Sequence, residues 1–442
     1  MALSGLDIYK LLPKTNCREC GFATCLAFAM QLAKKAVSID KCPHLGPEAK
    51  EALEASSRPA IKLISLGQPN NRLEIGNETV MFRHEEKFHH PCGIGFIIED
   101  NLGDEEIRER LMRINNLIFE RVGQKLQVNI IAIKQTKEAK RFVEAVRLIV
   151  NNTPLAIVLM SDDNTALRKA LELLKDKQPL LYRAQEKNLL EISQLAKSYN
   201  ASVVVSAPDI DSLSRIALEL NKLGVTDLIL EPTANNISRK IWQLTQIRRQ
   251  ALKKSNRSVG YPTLAVIENG DIWDEALEAA TYIDKYAGII LLKQSESWQV
   301  LPLLTLRQNI YTDPQKPLQI EPKFYAIGAV NDKSPVLVTT NFSLTYYTVL
   351  GEVEASKIPS YILSVNTEGM SVLTAWAAEK FTVEKINLAL TNSGSKDLVS
   401  HRRLIIPGYV AVMSGELEDV SGWQVLVGPK EAAGIPSFLK NL

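Results

Sequence analysis

The sequence is poor in cysteine, shows no excess of either charge, and lacks long apolar runs. Only five of its 442 residues are cysteines, and their odd number argues against a secreted disulfide scaffold. Lysine plus arginine total 52 against 50 for aspartate plus glutamate, with no basic run, which argues against nucleic acid as a partner. No apolar run approaches the roughly 20 residues that span a bilayer, and residues 1–12 do not resemble a signal peptide. These absences predict a cytoplasmic protein, and the length predicts two or three domains.

Four of the five cysteines lie close together near the amino terminus, with the spacing Cys17-x2-Cys20-x4-Cys25-x16-Cys42. Three thiolates would come from one loop and the start of a helix predicted over about 23–37, and the fourth returns after that helix. Gly21 leaves the backbone free beside a bulky inorganic core. Sulfur ligands suit zinc as well, but zinc sites more usually show two x2 pairs. The spacing therefore favours a 4Fe-4S cluster, with zinc as the alternative, in a domain over residues 1–57.

The fifth cysteine, Cys92, follows His89 and His90 in the sequence HHPCGIG. Histidine and cysteine together would suit a second metal site. A loop thiol that lies next to two histidines by chance, at the entrance to a strand, is the favoured interpretation.

The middle of the chain alternates short apolar runs with amphipathic helices, such as one predicted over 105–122. Continuous apolar runs are typical of strands that are covered on both faces. Eight such strand–helix units predict a TIM barrel, and the second domain is placed at 58–310 with a connecting segment at its start. The predicted strands span 95–99, 128–133, 155–160, 179–183, 202–206, 227–231, 263–268 and 288–292.

Three prolines in the polar segment 307–323 predict a linker before a third domain over 325–442. That domain is predicted to be a Rossmann-like open α/β sheet, in which ligands bind at the carboxyl ends of the strands. No G-x-G-x-x-G or Walker motif follows any strand, which argues against a nicotinamide cofactor or a nucleoside triphosphate. The predicted strands are 325–330, 335–340, 361–365, 386–390, 403–407 and 424–428, and small polar residues fill the loops at 339–341, 366–369, 391–394, 407–408 and 428–430.

These loops permit a large ligand with amide and phosphate groups, although small polar residues are also ordinary in turns and helix caps. Four stretches carry a more specific signal: NCRECGFATCLAFA, KCPHL, TEGMSVLTAWAAEKF and GWQVLVGPKEAAGIPSFL. Together with the eight-stranded middle, they resemble the large (gamma) subunit family of the corrinoid iron-sulfur protein of the anaerobic acetyl-CoA (Wood-Ljungdahl) pathway. The resemblance covers essentially the whole chain.

The resemblance implies a methyl carrier rather than a stand-alone enzyme. In that family a corrinoid cobalt(I) accepts a methyl group from methyltetrahydrofolate through a separate methyltransferase, and the methyl group passes to acetyl-CoA synthase. A 4Fe-4S cluster restores cobalt(I) after oxidation to cobalt(II). Carried onto this sequence, the cluster ligands are Cys17, Cys20, Cys25 and Cys42, Thr374 lies beneath the cobalt, and the corrinoid contacts are Thr340, Tyr346, Met370, Ser371, Val372, Leu373, Thr374 and Ala433.

The resemblance also implies partners: a small subunit in a heterodimer, the methyltransferase, acetyl-CoA synthase, and a reductive activator or ferredoxin. Many corrinoid proteins bind cobalt through the histidine of a D-x-H-x-x-G loop. None of the five histidines here lies in that context, so a bound cobalt is expected to have no protein histidine ligand. Removing a strong axial nitrogen donor favours low-coordinate cobalt(I).

Two other functions stay open. The barrel could be a methyltransferase that binds the pterin itself, with polar groups from Asp209, Glu231 and the runs 161–163 and 268–269. The family places pterin chemistry in another protein, which makes the barrel a scaffold here. The chain could also be an electron-transfer subunit with a cluster and no corrinoid.

Overall fold

The computed structural model describes residues 5–33, 36–46, 49–50, 53, 59–234, 236–267 and 270–442. The chain divides into two compact units, Met1–Phe119 with Leu126–Tyr311, and Glu120–Lys125 with Thr312–Leu442. This division into two units does not test the boundaries proposed for the three domains, which remain predictions. Among the described residues, no helix has both the length and the apolar character needed to cross a bilayer.

The first unit contains a closed barrel of eight parallel strands, which confirms the predicted TIM barrel. Each strand pairs in parallel with its neighbours, and a bridge between Leu230 and Thr263 joins the two ends of the sheet. The strand residues are almost all buried because helices cover the outside of the barrel and side chains fill its inside. The strands are Gly93–Glu99, Ile130–Lys134, Ala156–Met160, Leu180–Ala184, Ser202–Ala207, Leu228–Pro232, Leu264–Val266 and Ile289–Leu292.

The barrel helices bury apolar side chains spaced three and four residues apart. In Ala139–Asn152, for example, Phe142, Val146 and Ile149 are buried on one face. A short 3-10 helix, Arg257–Val259, precedes the seventh strand. The helices are Asp104–Asn115, Ala139–Asn152, Asn164–Glu172, Leu189–Tyr199, Ile210–Lys222, Ile237–Lys253, Ile272–Asp284 and Ser297–Tyr311.

The helix predicted over 105–122 is shorter than expected. It ends at Asn115, and the strands Ile118–Arg121 and Gln124–Gln127 form a two-stranded sheet after it. Val122 and Gly123 between them both have positive φ, of 56° and 66°. Two successive residues with positive φ are typical of a tight hairpin turn, so the chain reverses there rather than continuing as a helix.

A second, antiparallel hairpin packs against the side chains that fill the barrel interior. Its strands are Ile64–Leu66 and Leu73–Ile75, and a 3-10 helix, Pro69–Asn71, lies between them. Their side chains join an apolar cluster with Ile130 and Val158 from the barrel strands. This cluster fills the barrel interior with aliphatic side chains next to the hairpin.

The cysteine-rich segment forms a small apolar cluster of its own. The helices Gly5–Leu11 and Cys25–Ala33 pack together through Ile8, Phe28 and Ala29. The 3-10 helix Ile39–Lys41 follows. The helix predicted over 23–37 therefore spans Cys25–Ala33, and residues 34–35 lie outside the described residues.

The second unit is an open five-stranded sheet, which confirms the predicted Rossmann-like fold. The strands are Phe324–Ile327, Val336–Thr340, Ser360–Val365, Arg403–Ile406 and Gln424–Val427, in the spatial order first, third, second, fourth, fifth. The first strand is antiparallel and the others are parallel. The chain passes from the second strand to one side and then crosses back to the fourth on the other, which creates a topological switch point between them.

The strand predicted over 386–390 is wrong. Those residues lie in the helix Val383–Asn392, where Val383, Ile386 and Leu390 are buried at helical spacing and the Thr382 side chain caps the start. The loop 391–394 therefore follows a helix and does not belong to the carboxyl edge of the sheet. The remaining helices of this unit are Ser343–Ser356, Val372–Ala377, Ser395–Leu398, Ser414–Ser421 and Ile435–Lys440, with 3-10 helices Gly408–Met413 and Ala432–Gly434.

The helix Ser297–Tyr311 includes the first five residues of the predicted linker. Arg307 is buried in the first unit, where its guanidinium donates to the Cys92 carbonyl at 3.0 Å and to the Gln127 carbonyl at 2.8 Å. The second unit begins at Thr312.

Candidate cofactor sites

The four amino-terminal cysteines are brought together around the start of one helix. Cys17 is exposed, Cys20 and Cys42 are half-buried, and Cys25 is buried as the first residue of the helix Cys25–Ala33. Cys42 follows the short helix Ile39–Lys41 and donates its backbone N–H to the Ile39 carbonyl at 3.1 Å. The four thiols therefore come from three separate pieces of backbone.

The loop that carries the first two cysteines is folded tightly. Asn16, Arg18 and Gly21 all have positive φ, and the Gly21 N–H donates to the Arg18 carbonyl at 2.9 Å. Asn16 joins this loop to the helix, because its side-chain oxygen accepts from the Cys25 N–H at 2.8 Å and its own N–H donates to the Cys25 sulfur at 3.4 Å. A backbone N–H directed at sulfur stabilises a thiolate.

The pKa of the Cys42 thiol is affected by the other three clustered cysteines. Burial raises the pKa of the Cys42 thiol above its usual value, and Cys20, Cys25 and Cys17 raise this pKa further, while the His44 backbone N–H lowers it. Thiolates that raise one another's pKa in this way repel one another unless a cation lies among them. The donor set therefore fits a metal cluster.

Cys92 is separate from this group. It is fully buried just before the first barrel strand, and burial raises its pKa to about 11. The neighbouring histidines have other partners: the His90 ring contacts the Gly76 carbonyl at 2.7 Å, and the His89 ring lies 3.3 Å from a Glu86 carboxylate oxygen. The structure thus gives Cys92 a packing environment.

An apolar cleft of about 400 Å³ lies at the switch point of the five-stranded sheet. Its floor is formed by Leu337 and Val338 from the second strand and by Ile405 and Ile406 from the fourth. Leu344, Leu373 and Tyr409 stand at its rim and are largely exposed. The position is the one in which open α/β sheets bind their ligands.

Unsatisfied hydroxyl groups surround the carboxyl end of the second strand. Within the described part of the chain, the side-chain oxygens of Thr339, Thr340, Ser343 and Ser364 are buried without a hydrogen-bond partner. Thr339 lines the cleft, and Ser364 is its partner in the sheet register. An unmade hydrogen bond at a buried hydroxyl costs roughly 1–3 kcal/mol. Of these four hydroxyls, that of Thr339 belongs to the lining of the cleft, where the polar edge of a ligand would satisfy it.

The predicted corrinoid contacts have three different placements. Ser371, Val372 and Leu373 line the cleft. Thr374 is exposed beside them, with its hydroxyl 3.0 Å from that of Ser371, and Met370 precedes them. Thr340, Tyr346 and Ala433 do not line the cleft, although the residues next to them, Thr339, Thr345 and Ala432, do.

The predicted contacts include Tyr346 from the helix Ser343–Ser356 but not the residues of this helix that line the cleft. Leu344, Thr345 and Thr348 from this helix line the cleft, together with Phe342 just before it. Two of these residues are four apart, so they share a helix face. That spacing next to the small polar loop 339–341 was the available signal.

A second, larger cavity of about 610 Å³ lies at the carboxyl ends of the barrel strands. Ser161, Asp162 and Glu231, which sequence analysis selected as polar groups of the barrel, line it. Asp163 and Asp209 instead accept hydrogen bonds from backbone N–H groups at the start of helices, and Glu268 and Asn269 lie outside the described residues.

The floor of the barrel cavity carries buried charge. The Glu231 carboxylate accepts hydrogen bonds from the Tyr182 hydroxyl at 3.0 Å and from the Ser206 hydroxyl. Burial raises the pKa of Glu231 and lowers the pKa of Lys240, whose ammonium donates to the Val266 carbonyl at 3.1 Å. Sequence analysis missed Lys240, which comes from the helix behind the strand.

Comparisons with known proteins agree along the whole chain. A family model described as CO dehydrogenase/acetyl-CoA synthase delta subunit matches residues 63–439, and one described as a putative Fe-S cluster matches residues 12–44. The corrinoid/iron-sulfur protein large subunit of Moorella thermoacetica is 46% identical over 441 residues, which cover 100% of this chain and 99% of the relative.

An acetyl-CoA decarbonylase/synthase complex subunit gamma, from Methanothermobacter thermautotrophicus, is 38% identical over 456 residues, which cover 100% of this chain and 99% of the relative. Among solved structures, a 7,8-dihydropteroate synthase from Vibrio fischeri superimposes with a TM-score of 0.41 and 14% identity, over 56% of this chain and 97% of its own.

Proposed function

The chain belongs to the family of corrinoid/iron-sulfur protein large subunits and archaeal gamma subunits of the acetyl-CoA pathway, and from that premise we propose that it carries methyl groups on a bound corrinoid. The methyl group comes from methyltetrahydrofolate through a methyltransferase and goes to acetyl-CoA synthase. The observation that carries this proposal is the cleft in the second unit, since it is apolar, lies at a switch point and has in its lining the Thr339 hydroxyl, which is unsatisfied among the described residues.

The metal cluster in this proposal is a 4Fe-4S cluster held by Cys17, Cys20, Cys25 and Cys42. When bound, such a cluster would pass single electrons from the reductive activator or ferredoxin to cobalt(II), which would return it to cobalt(I). The protein contributes the tight loop around Gly21 and the N–H groups that stabilise the thiolates. Four sulfur ligands without a histidine are typical of this cluster type.

The corrinoid would lie against the cleft, with contacts from Thr340, Tyr346, Ala433 and the run 370–374. Thr374 is our candidate for the residue beneath the cobalt, because its exposed hydroxyl stands beside the cleft-lining Leu373. We expect no histidine ligand. This expectation is supported by His401, the histidine of this unit, whose ring contacts the Ser334 carbonyl at 2.9 Å, before the second strand rather than at its carboxyl end.

The exposed rim of the cleft supports a partner subunit that covers it. Leu344 is 69% exposed and Leu373 is 45% exposed, so a flat ring in the cleft leaves one face and an apolar border uncovered. We propose that a small subunit covers them in a heterodimer, since reactive cobalt(I) must be kept from water. The methyltransferase, acetyl-CoA synthase and a reductive activator or ferredoxin then meet this heterodimer in the cytoplasm.

The visible spectrum and metal content of the anaerobically purified protein test the proposal. The chain is produced alone and with the small subunit, and cobalamin is offered to both before gel filtration. We expect iron in both samples and tightly held corrin bands with matching cobalt only in the heterodimer. Iron without cobalt in the heterodimer would support the electron-transfer alternative and reject the carrier function.

A further inference from the structure

The barrel cavity has features that the proposed methyl-carrier function does not use. It lies at the carboxyl ends of the strands, where the loops of TIM barrels place their ligand sites. Its volume of about 610 Å³ is within the range of small-molecule sites. Met160, Ile237 and Val266 give it apolar walls, and Glu231 gives it a polar floor.

The charges on the floor are costly for a purely structural role. Glu231 is 3% exposed and Lys240 is 7% exposed. The charge of each residue acts on the pKa of the other, yet no hydrogen bond or ion pair joins them among the described residues. Glu231 instead accepts hydrogen bonds from two hydroxyls. Lys240 donates to a backbone carbonyl and lies 5.2 Å from the centre of the Tyr282 ring. Buried charges that do not neutralise each other by contact rarely stabilise a fold. Both residues line the cavity, where a ligand can contact both of them.

The hydrogen-bonding capacity that remains defines the ligand. A carboxylate offers about four acceptor positions, of which Tyr182 and Ser206 occupy two. An ammonium has three donors, and the Val266 carbonyl takes one. The floor therefore presents an acceptor next to a donor. A ligand edge with the opposite pattern, N–H groups next to a carbonyl oxygen, would satisfy both.

The overall charge of the lining excludes a highly charged ligand. Three cations, Lys134, Arg183 and Lys240, balance three carboxylates from Asp162, Glu231 and Glu278. Nucleoside triphosphates need an excess of cations and a glycine-rich loop, and neither is present among the lining residues. We propose that the barrel cavity binds a small, planar, uncharged nitrogen heterocycle through a lactam edge, with Glu231 accepting from its N–H groups and Lys240 donating to its carbonyl.

The oxopurines and the oxopteridines both carry such an edge, and a titration of the full chain distinguishes them. Calorimetry is carried out with 9-methylguanine and with pterin, and 9-methyladenine, which has no carbonyl, is the control ligand. We expect at least one of the first two to bind with a Kd well below millimolar and 9-methyladenine to bind at least tenfold more weakly. Binding of neither, or equal binding of all three, would overturn the proposal.

Variants of the floor test the assigned roles. Glu231→Gln replaces a carboxylate, which only accepts hydrogen bonds, by an amide that both accepts and donates, and it should weaken binding about 10- to 100-fold. Lys240→Met removes the donor and should weaken binding about tenfold. Glu172→Gln, on an exposed helix position, is the matched control and should bind like the unmodified chain. Floor variants that bind like this control would overturn the proposal.

A second measurement covers the case in which Glu231→Gln does not fold. A ligand that binds the folded chain stabilises it by RT ln(1 + L/Kd), where L is the free ligand concentration, and therefore raises the Tm of the unmodified chain. A rise with 9-methylguanine or pterin and none with 9-methyladenine supports the lactam edge, whereas no rise with any of the three rejects it. Iron and cobalt contents of the heterodimer report separately on the proposed carrier function.

Discussion

The barrel cavity and the cleft of the open sheet lie in the same topological position and have opposite linings. Both form at the carboxyl ends of parallel strands, one in the barrel and one in the open sheet. The barrel floor carries Glu231 and Lys240, whereas Leu337, Val338 and Ile405 line the floor of the cleft. Topology therefore places a ligand site and the side chains decide its chemistry. A small polar ligand suits the first cavity and a broad, mostly apolar one suits the second.

The largest expected effect separates the thiol site from the cleft. Replacing any one of Cys17, Cys20, Cys25 and Cys42 by alanine should remove nearly all bound iron, because a cluster that lacks one of its thiolates is not retained. Reductive activation should be lost with it. Methyl transfer from chemically prepared cobalt(I) should largely survive, since the cleft belongs to the other compact unit. Iron analysis and methyl-transfer assays of the heterodimer measure both.

Cys92→Ala is the matched control for these four variants. Cys92 is buried away from the cluster loop, so its replacement should leave the iron content unchanged. Loss of methyl transfer from prepared cobalt(I) in a cluster variant would contradict this division between the two units.

The second effect fills the cleft and leaves the barrel cavity intact. Thr345→Trp places a large ring where Thr345 lines the cleft, and corrinoid binding by the heterodimer should weaken at least about 100-fold because the added volume blocks the site. Thr391→Trp makes the same change at an exposed position of the same unit and should bind normally. Heterocycle binding in the barrel should be equal in both variants. Normal cobalt content in Thr345→Trp would place the corrinoid elsewhere.

How much of the fold could be predicted depended on whether the signal was local. The eight barrel strands are continuous apolar runs, so their pattern alone identified them. Residues 386–390 are an apolar run as well, but Thr382 caps a helix there, and Val383 lies on the same buried face as Ile386 and Leu390. An apolar run of only five residues fits a buried strand and a buried segment of a helix equally well.

The same limit applies to the sites. Cysteine ligands are visible in a sequence because their chemistry and spacing are local. Lys240 was missed because the packing of its helix against the barrel decides that it reaches the cavity. Its position on the buried face of the helix Ile237–Lys253, in line with Leu244 and Ile247, was the available signal. A charged residue on an apolar stripe indicates a buried charge.

A third prediction contrasts Cys92 with the clustered cysteines through pH. Its pKa in the folded protein is about 11, against 9.0 for an unperturbed thiol. A thiol whose folded pKa is raised contributes stability that is present below pH 9 and is lost as pH rises through 11. Relative to Cys92→Ala, the unmodified chain should therefore lose about 2 kcal/mol of unfolding free energy between pH 8 and pH 10.5.

Urea unfolding of both proteins under anaerobic, reducing conditions measures this difference. The comparison between the two proteins cancels the titration of tyrosines and lysines that they share. A constant difference in unfolding free energy across that pH range would show that Cys92 is not as well buried as the structure indicates.

The smallest effect compares a hydroxyl from each cavity. The Thr339 hydroxyl is buried in the cleft and has no hydrogen-bond partner among the described residues, whereas the Ser206 hydroxyl donates to Glu231 in the barrel. Thr339→Val keeps the shape of the side chain and removes an unsatisfied group, so the cofactor-free chain should become more stable by about 1 kcal/mol. Ser206→Ala removes a bond to a buried carboxylate and should cost about 1–3 kcal/mol. Urea unfolding of the two variants measures both changes.

Thr339→Val should have opposite effects on stability and on corrinoid affinity. If the Thr339 hydroxyl exists to bond a polar edge of the corrinoid, Thr339→Val should weaken corrinoid binding by the heterodimer several-fold while it stabilises the empty chain, since a neutral hydrogen bond contributes about 0.5–1.5 kcal/mol. A site residue can be recognised by this combination, because a purely structural residue loses stability and gains nothing when it is replaced. Thr339→Val that is less stable than the unmodified chain, with unchanged corrinoid affinity, would show that its hydroxyl serves the sheet and not the ligand.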